Sequence, residues 1–235
     1  MIQNKSEKFK NRAHAGELLS RKLSMYRHCD DALVLALPRG GVQVGYVVAR
    51  QLQLPLDFLL VHKISLPENE EYAIGAISSD GTCILRKEAI NVLEIPNHIV
   101  ENTAWNELHA LELQESWYRK GCRPKQLTGR IVILVDDGVA TGATMEVAVH
   151  VVREAKPARL IIAVPVATPE ICRKLRLKAD DIICLKMPER FCAVGEWYED
   201  FDQTSDNEAK SLLTIGEYFD QIQHGIVSDR QERET

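Results

Sequence analysis

The sequence predicts an α/β fold with a doubly wound parallel sheet, and one repeated pattern carries that prediction. Continuously apolar segments at 32–37, 131–135 and 160–166 each run into a turn and then into a segment with helical spacing of apolar residues. Strands that are apolar at every position are typical of parallel sheets that helices cover on both faces. Alternation of such strands with helices therefore favours a doubly wound sheet.

The composition is that of a globular protein. The chain has 235 residues, of which 45% are hydrophobic and 27% are charged, enough apolar material for a core. Its net charge of −5 argues against a broad nucleic-acid-binding surface. The polar N-terminus lacks an apolar signal region, and the apolar runs are too short to cross a membrane. The six cysteines are far apart, which fits free thiols in a reducing compartment. We expect a soluble, cytoplasmic protein that binds neither nucleic acid nor membranes.

The first half of the chain predicts the start of the sheet and a hairpin. Apolar residues between 8 and 28 recur at three-to-four spacing, which indicates an amphipathic helix that covers the sheet or joins a hood over the site. The elements that follow are strand 32–37, helix 42–52, strand 55–64 and two hairpin arms, 73–77 and 82–85, around Asp80 and Gly81.

The second half predicts a long helix and the rest of the sheet. Residues 97–120 have a patchy apolar face, so we expect an arm that packs along the core or on a partner subunit. The elements that follow are strand 131–135, a helix that ends before Pro157, strand 159–166, a short helix opened by Thr168 and Pro169, strand 181–186, and a last helix capped by Ser205 and Glu208.

These elements predict one domain over residues 1–223. Its core comprises about 31–88 and 128–187, and the helical arm comprises about 97–121. A hood combines 8–30 with 188–223. We expect 224–235 to form a disordered tail.

The stretch from 131 to 144 predicts a phosphosugar site. Asp136 and Asp137 follow a buried strand directly and can accept hydrogen bonds from ribose hydroxyls or hold Mg²⁺. Small residues then let a phosphate approach the backbone, where the amides and dipole at the start of a helix favour its charge. This turn consists of Ala140, Thr141, Gly142, Ala143 and Thr144.

The segment VDDGVATGATM at 135–145 resembles the phosphoribosyl-pyrophosphate (PRPP) signature of type I phosphoribosyltransferases. The resemblance extends over most of the chain, to a bacterial branch usually called predicted phosphoribosyltransferases. It implies a doubly wound fold with a hood, Mg²⁺ as cofactor, and PRPP and a small-molecule acceptor as partners. It also implies a homodimer and a role in nucleotide metabolism.

A second strand–turn–helix unit predicts a separate anion site. Gly40 and Gly41 permit backbone geometry closed to other residues, and Arg39 offers a planar fork of donors to phosphate oxygens. Lys63, at the end of the predicted strand 55–64, is expected at the same edge of the sheet. In the resembled family this turn binds pyrophosphate, often carries a non-proline cis peptide, and is assisted by a basic residue such as Lys63.

Residues 65–72 form a polar segment with three acids, where type I members carry a mobile loop that closes over the reacting centre. The pattern Pro-x-x-x-Glu-x-Ala-Ile-Gly-Ala matches the predicted branch and includes Glu71, which is either a ligand or a loop carboxylate.

The segment 187–201 is aromatic and acidic. The resemblance to purine-type members implies that Phe191 stacks on the acceptor base and that Glu199 or Asp200 joins Asp136 and Asp137 as a metal ligand. Trp197 and Tyr198 are further candidates. The alternative is that these aromatic residues fill the core under a long loop.

The resemblance implies transfer of a phosphoribosyl group from PRPP to a nitrogen acceptor, with Asp136, Asp137, Arg39 and Lys63 as catalytic residues. Ala140 stands where hypoxanthine-type members carry an aspartate, so a hypoxanthine or guanine acceptor is disfavoured. A non-catalytic sensor of PRPP or a nucleotide, and a hydrolase of such ligands, are the alternatives.

Overall fold

A computed structural model of the protein describes residues 8–66, 69–119 and 123–231. A parallel sheet of five strands, in the order β2-β1-β6-β7-β8, forms its centre. A smaller antiparallel sheet has the order β3-β4-β5. The strands are β1 (Ala32–Ala36), β2 (Leu56–Phe58), β3 (Val61–Leu66), β4 (Asn69–Ser78), β5 (Cys83–Leu85), β6 (Ile131–Val135), β7 (Arg159–Val166) and β8 (Asp181–Lys186).

Helices cover both faces of the large sheet, which confirms the predicted doubly wound α/β fold. The helices are α1 (Arg12–Lys22), α2 (Gly40–Leu52), α3 (Lys87–Val92), α4 (Asn97–Arg119), α5 (Ala143–Glu154), α6 (Pro169–Arg176) and α7 (Asp206–Gln231). Along β1, Val34 and Ala36 pack on the face of α2, whereas Leu33 and Leu35 pack on the face of α5 and α6. Burial of each valine or leucine side chain among these contributes about 1.5–3 kcal/mol.

The prediction of one strand over 55–64 is wrong. Strand β2 ends at Phe58, and β3 leaves the large sheet to pair with β4. The apolar run continues across the break because both sides remain covered. Leu59 and Val61 pack towards α5, while Leu60 and Ile64 join the core cluster that includes α4.

Strands also replace most of the polar loop predicted over 65–72. Strand β3 runs to Leu66 and β4 begins at Asn69, with shifts of register near Ser65. Residues 67 and 68 and the side chain of Glu71 lie outside the described residues, so the role of Glu71 stays a prediction. The predicted hairpin at Asp80 and Gly81 is confirmed, with Gly81 at φ +85°.

The long helix α4 packs along the core, one of the two arrangements predicted for the arm. It buries Val100, Leu111 and Tyr118 in the cluster that contains the antiparallel strands. Its outer face leaves Trp105 71% and Leu113 61% exposed. The homodimer stays a prediction.

The two ends of the described chain depart from the predicted bounds. Helix α1 is shorter than 8–28 and begins after Asn11, whose side chain accepts a hydrogen bond from the amide of His14. Helix α7 begins after the predicted Ser205 cap and continues to Gln231, into the segment predicted to be disordered. No proline interrupts α7, which lets the helix propagate. Residues 232–235 lie outside the described residues.

Within the part of the chain that the structure describes, no helix is both long enough and apolar enough to cross a membrane.

A buried ion pair joins the carboxyl end of β2 to α4. The carboxylate of Asp57 is 3.0 Å from Nη1 of Arg119 and also accepts a hydrogen bond from the amide of Lys125. Asp57→Ala should therefore lower the free energy of unfolding by about 1–3 kcal/mol, because it leaves the amide of Lys125 and Nη1 of Arg119 without this acceptor, although Arg119 remains paired with Glu115. Urea unfolding measures the loss. The exposed Asp30→Ala is the control and should change stability by no more than about 0.5 kcal/mol. An equally small loss for Asp57→Ala would contradict the assignment.

Candidate active site

The acid pair lies at the carboxyl end of β6, where the chain order of the sheet reverses. From β1 the chain proceeds to β2 on one side, and from β6 it proceeds to β7 and β8 on the other. Ligands of open α/β sheets bind at such switch points. Asp136 and Asp137 are half-buried here, and Oδ1 of Asp136 accepts a hydrogen bond of 2.8 Å from the amide of Asp137.

The predicted phosphate turn leads directly into α5. Gly142 has φ +82°, a left-handed conformation that glycine adopts without strain, and α5 begins at Ala143. The first amides of a helix have no partner within it, so they are free to bind an anion. A cavity of about 170 Å³ opens beside them, and its lining comprises Lys63, Asp136, Gly138, Val139, Ala140, Thr141, Gly142, Ala143, Thr144, Met145 and Val194.

The glycine turn after β1 rests on the acid pair. A Cβ on Gly40 would lie 1.9 Å from Oδ2 of Asp137, and a Cβ on Gly41 would lie 3.0 Å from Cα of Asp136. Side chains at these two positions would displace the carboxylates, so the close approach requires glycine. The non-proline cis peptide that the resemblance implied is present between Pro38 and Arg39.

The two predicted cations of the pyrophosphate site are placed differently. Lys63 lines the cavity, although β3 of the antiparallel sheet places it there and not a strand of the large sheet. The Arg39 side chain turns towards α7, where Nη1 lies 3.7 Å from Oδ2 of Asp206.

Sequence reasoning missed Arg12, which lies at the start of α1. Its Nε donates a 2.7 Å hydrogen bond to Oδ2 of Asp137, and Nη1 donates to the carbonyl of Asp202. The guanidinium lies 3.8 Å from the centroid of the Phe201 ring. Tyr198 donates a 2.6 Å hydrogen bond to the carbonyl of Asp137. An arginine at the start of an amphipathic helix resembles a solvated residue, so no local signal pointed to these contacts.

The aromatic residues of 187–201 mainly fill a small core. Phe191 and Trp197 pack against the buried cluster that includes Phe9 and Tyr198, which is the alternative raised from the sequence. Val194, from the same segment, lines the cavity.

The structure brings neither Glu199 nor Asp200 to the acid pair, although the resemblance implied that one of them joins it as a metal ligand. Glu199 and Asp200 are exposed, and their amides bond to the carbonyls of Phe9 and Lys10. Asp200 lines a separate cavity beside α1 and α2. In the described ranges, no group of three or more histidine, cysteine or acidic residues could hold a metal ion. The backbone pairing of 199–200 with 9–10 fixes this segment, which explains why these acids do not complete the set.

Burial raises the pKa of Asp136 well above its ordinary value, and the neighbouring Asp137 charge raises it further. Burial also raises the pKa of Asp137, while the Arg12 guanidinium opposes that rise. Negative charge at this site therefore has a free-energy cost, which a bound cation or hydroxyl donors would reduce.

Asp136 should make stability depend on pH. Its folded pKa lies above the ordinary value of 3.8, so the folded protein retains a proton that the unfolded chain has already lost. Because the folded state binds more protons, stability should fall as pH rises from about 4 through the folded pKa.

Asp136→Asn removes this titration and keeps an oxygen for the amide of Asp137. The variant should be more stable than the wild type at about pH 8 and should show a flatter stability profile in denaturant unfolding between about pH 4 and 8. Asp31→Asn, an exposed aspartate at the opposite end of the sheet, should keep the wild-type profile. Unchanged stability and slope in Asp136→Asn would contradict the raised pKa.

Comparisons with known proteins identify the family. The model of the phosphoribosyl transferase domain matches residues 7–200. One relative is a Mycobacterium tuberculosis protein, in strains CDC 1551 and H37Rv, that is provisionally named a phosphoribosyl transferase. It is 37% identical over 205 residues, which cover 87% of this chain and 46% of the relative's length. This chain thus spans about half the length of these curated relatives. The crystal structure of TT1426 from Thermus thermophilus has 39% identity and a TM-score of 0.75, covering 88% of this chain and 97% of its own. The match over most of the chain shows that it belongs to the phosphoribosyl transferase domain family.

Proposed function

We propose that the protein transfers a 5-phosphoribosyl group from PRPP to a nitrogen acceptor and releases pyrophosphate. The observation that carries the proposal is the acid pair beside the cavity formed by the 138–144 turn at the switch point of the sheet. Displacement at C1 of the ribose passes through a cation-like state and needs little covalent help. It needs positioning and neutralisation of the leaving group.

The turn from Ala140 to Thr144 is the proposed cradle of the 5′-phosphate. The left-handed Gly142 brings the first amides of α5 to the cavity, and the hydroxyls of Thr141 and Thr144 add donors. The helix dipole favours the negative charge of a phosphate at this position.

The acid pair is proposed to hold the ribose hydroxyls and Mg²⁺. Asp136 lines the cavity, whereas Asp137 is already paired with Arg12, so Asp136 is the more available ligand. This donor set fits Mg²⁺, which often uses only one or two carboxylates and completes its shell with substrate phosphates and water. When bound, the ion supplies positive charge that neutralises the departing pyrophosphate. Mg²⁺ binding of this kind does not require Glu199 or Asp200 as ligands.

Pyrophosphate is proposed to lie between the glycine turn and β3. Lys63 lines the cavity from β3, and Gly40 and Gly41 carry no side chain, which lets their turn lie directly against the acid pair. Arg39 begins the same turn and has a side chain that is 41% exposed, so it is free to turn towards phosphate oxygens.

The acceptor proposal is confined to a nitrogen nucleophile. Phe191 and Trp197 pack in a core cluster, which weakens the proposal that either one stacks on a base. Val194 is the side chain of that segment that lines the cavity. Ala140 supplies no carboxylate to act as a general base for a purine.

The chemistry can be tested by measuring pyrophosphate release from PRPP with Mg²⁺, with and without a panel of nitrogen acceptors. We expect release only with an acceptor. Release in water alone would identify a hydrolase, and tight PRPP binding without release would identify a sensor.

In that assay, Asp136→Asn should reduce acceptor-dependent release by about 10²–10³-fold, because it removes a charge that is pre-positioned for the transition state. The variant keeps the Arg12–Asp137 pair, so the loss is separable from unfolding. Asp31→Asn, at the opposite end of the sheet, should retain wild-type activity. Full activity in Asp136→Asn would contradict the assigned role.

A further inference from the structure

Arg39 has a partner that is not itself part of the proposed pyrophosphate site. Its Nη1 lies 3.7 Å from Oδ2 of Asp206, the first residue of α7. Both side chains are partly exposed, at 41% and 45%. A pair this long and this exposed is weak and readily exchanged.

Asp206 is held more firmly than Arg39. Its Oδ1 accepts a 2.6 Å hydrogen bond from the hydroxyl of Tyr118 and lies 3.4 Å from Nε2 of Gln114. Tyr118 is buried and packs against Phe58, with ring centroids 5.4 Å apart. Burial and the Asp206 carboxylate both raise the pKa of Tyr118, so its hydroxyl keeps the proton that it donates. The carboxylate is therefore fixed, and the long arginine side chain is the part that can move.

We propose that Asp206 is the counter-ion that Arg39 leaves when the pyrophosphate end of the substrate binds, and that Asp206 thereby sets the affinity for pyrophosphate. This inference rests on the proposed function. Pyrophosphate carries several negative charges and accepts paired hydrogen bonds from a guanidinium, so it outcompetes a single carboxylate at 3.7 Å. Breaking the resting pair subtracts from the binding free energy.

Asp206 is thus a positioning residue. It pairs with Arg39 when pyrophosphate does not, and it limits how tightly the product pyrophosphate is retained.

The test is calorimetric titration of pyrophosphate with Mg²⁺ into the full chain. Asp206→Asn keeps the shape of the side chain and an oxygen for Tyr118, but it removes the charge that holds Arg39. We expect its Kd for pyrophosphate to fall by about two- to five-fold, the range that corresponds to an exposed ion pair. Glu208→Gln is the matched control, because Glu208 lies in the same turn of α7 and contacts Gln43 of α2. Its Kd should equal that of the wild type.

A double-variant cycle separates partner exchange from simple charge repulsion. Arg39→Met should weaken pyrophosphate binding, and adding Asp206→Asn to it should then change nothing. Equal tightening in both backgrounds would overturn the inference, since it would show that Asp206 repels pyrophosphate without Arg39. Unchanged or weaker binding in Asp206→Asn alone would also overturn it.

The titration distinguishes failure of the proposed function from failure of this inference. A wild-type protein that binds neither PRPP nor pyrophosphate contradicts both the function and this inference. Wild-type binding with the same Kd in Asp206→Asn contradicts the inference alone.

Discussion

Two adjacent carboxylates are held at the switch point of the sheet, and the surrounding structure depends on that constraint. Burial disfavours the charge of both. The Arg12 guanidinium offsets part of this cost at Asp137, and α1 must therefore lie against the end of β6. The glycine turn can close over the pair only because Gly40 and Gly41 lack side chains. Burying two adjacent carboxylates lowers stability, and such a cost is common where binding or catalysis has been favoured over stability.

Both sheets contribute residues to this site. The large sheet supplies the acid pair and the 138–144 turn, both on the short connection between β6 and α5. The antiparallel sheet, which packs against α5, supplies Lys63 to the lining of the same cavity. Charges of opposite sign are thus placed on separate elements, which suits the proposed substrate, whose ribose would be held at one part of the site and whose pyrophosphate would be released at another.

The sequence allowed much of the fold and the local part of the site to be predicted. Strand β6 is apolar at every position, and β7 is apolar after Arg159, because helices cover both faces of the sheet, and that pattern is visible without a structure. The 136–144 segment was predictable because its acids, small residues and helix start are neighbours in the chain. The break between β2 and β3 was not, since Leu59 and Leu60 remain packed while the chain changes sheet. Arg12 was missed because its contact with Asp137 spans 125 residues.

Asp136 and the 138–144 turn are proposed to form a magnesium-dependent PRPP site. Calorimetric titration of PRPP into the wild-type protein and Asp136→Asn, each with and without Mg²⁺, tests this proposal. We expect wild-type binding that requires Mg²⁺ and is weakened by about tenfold or more in the variant, which corresponds to at least about 1.4 kcal/mol. Absence of binding to the wild type, or the same Kd in both proteins, would contradict it.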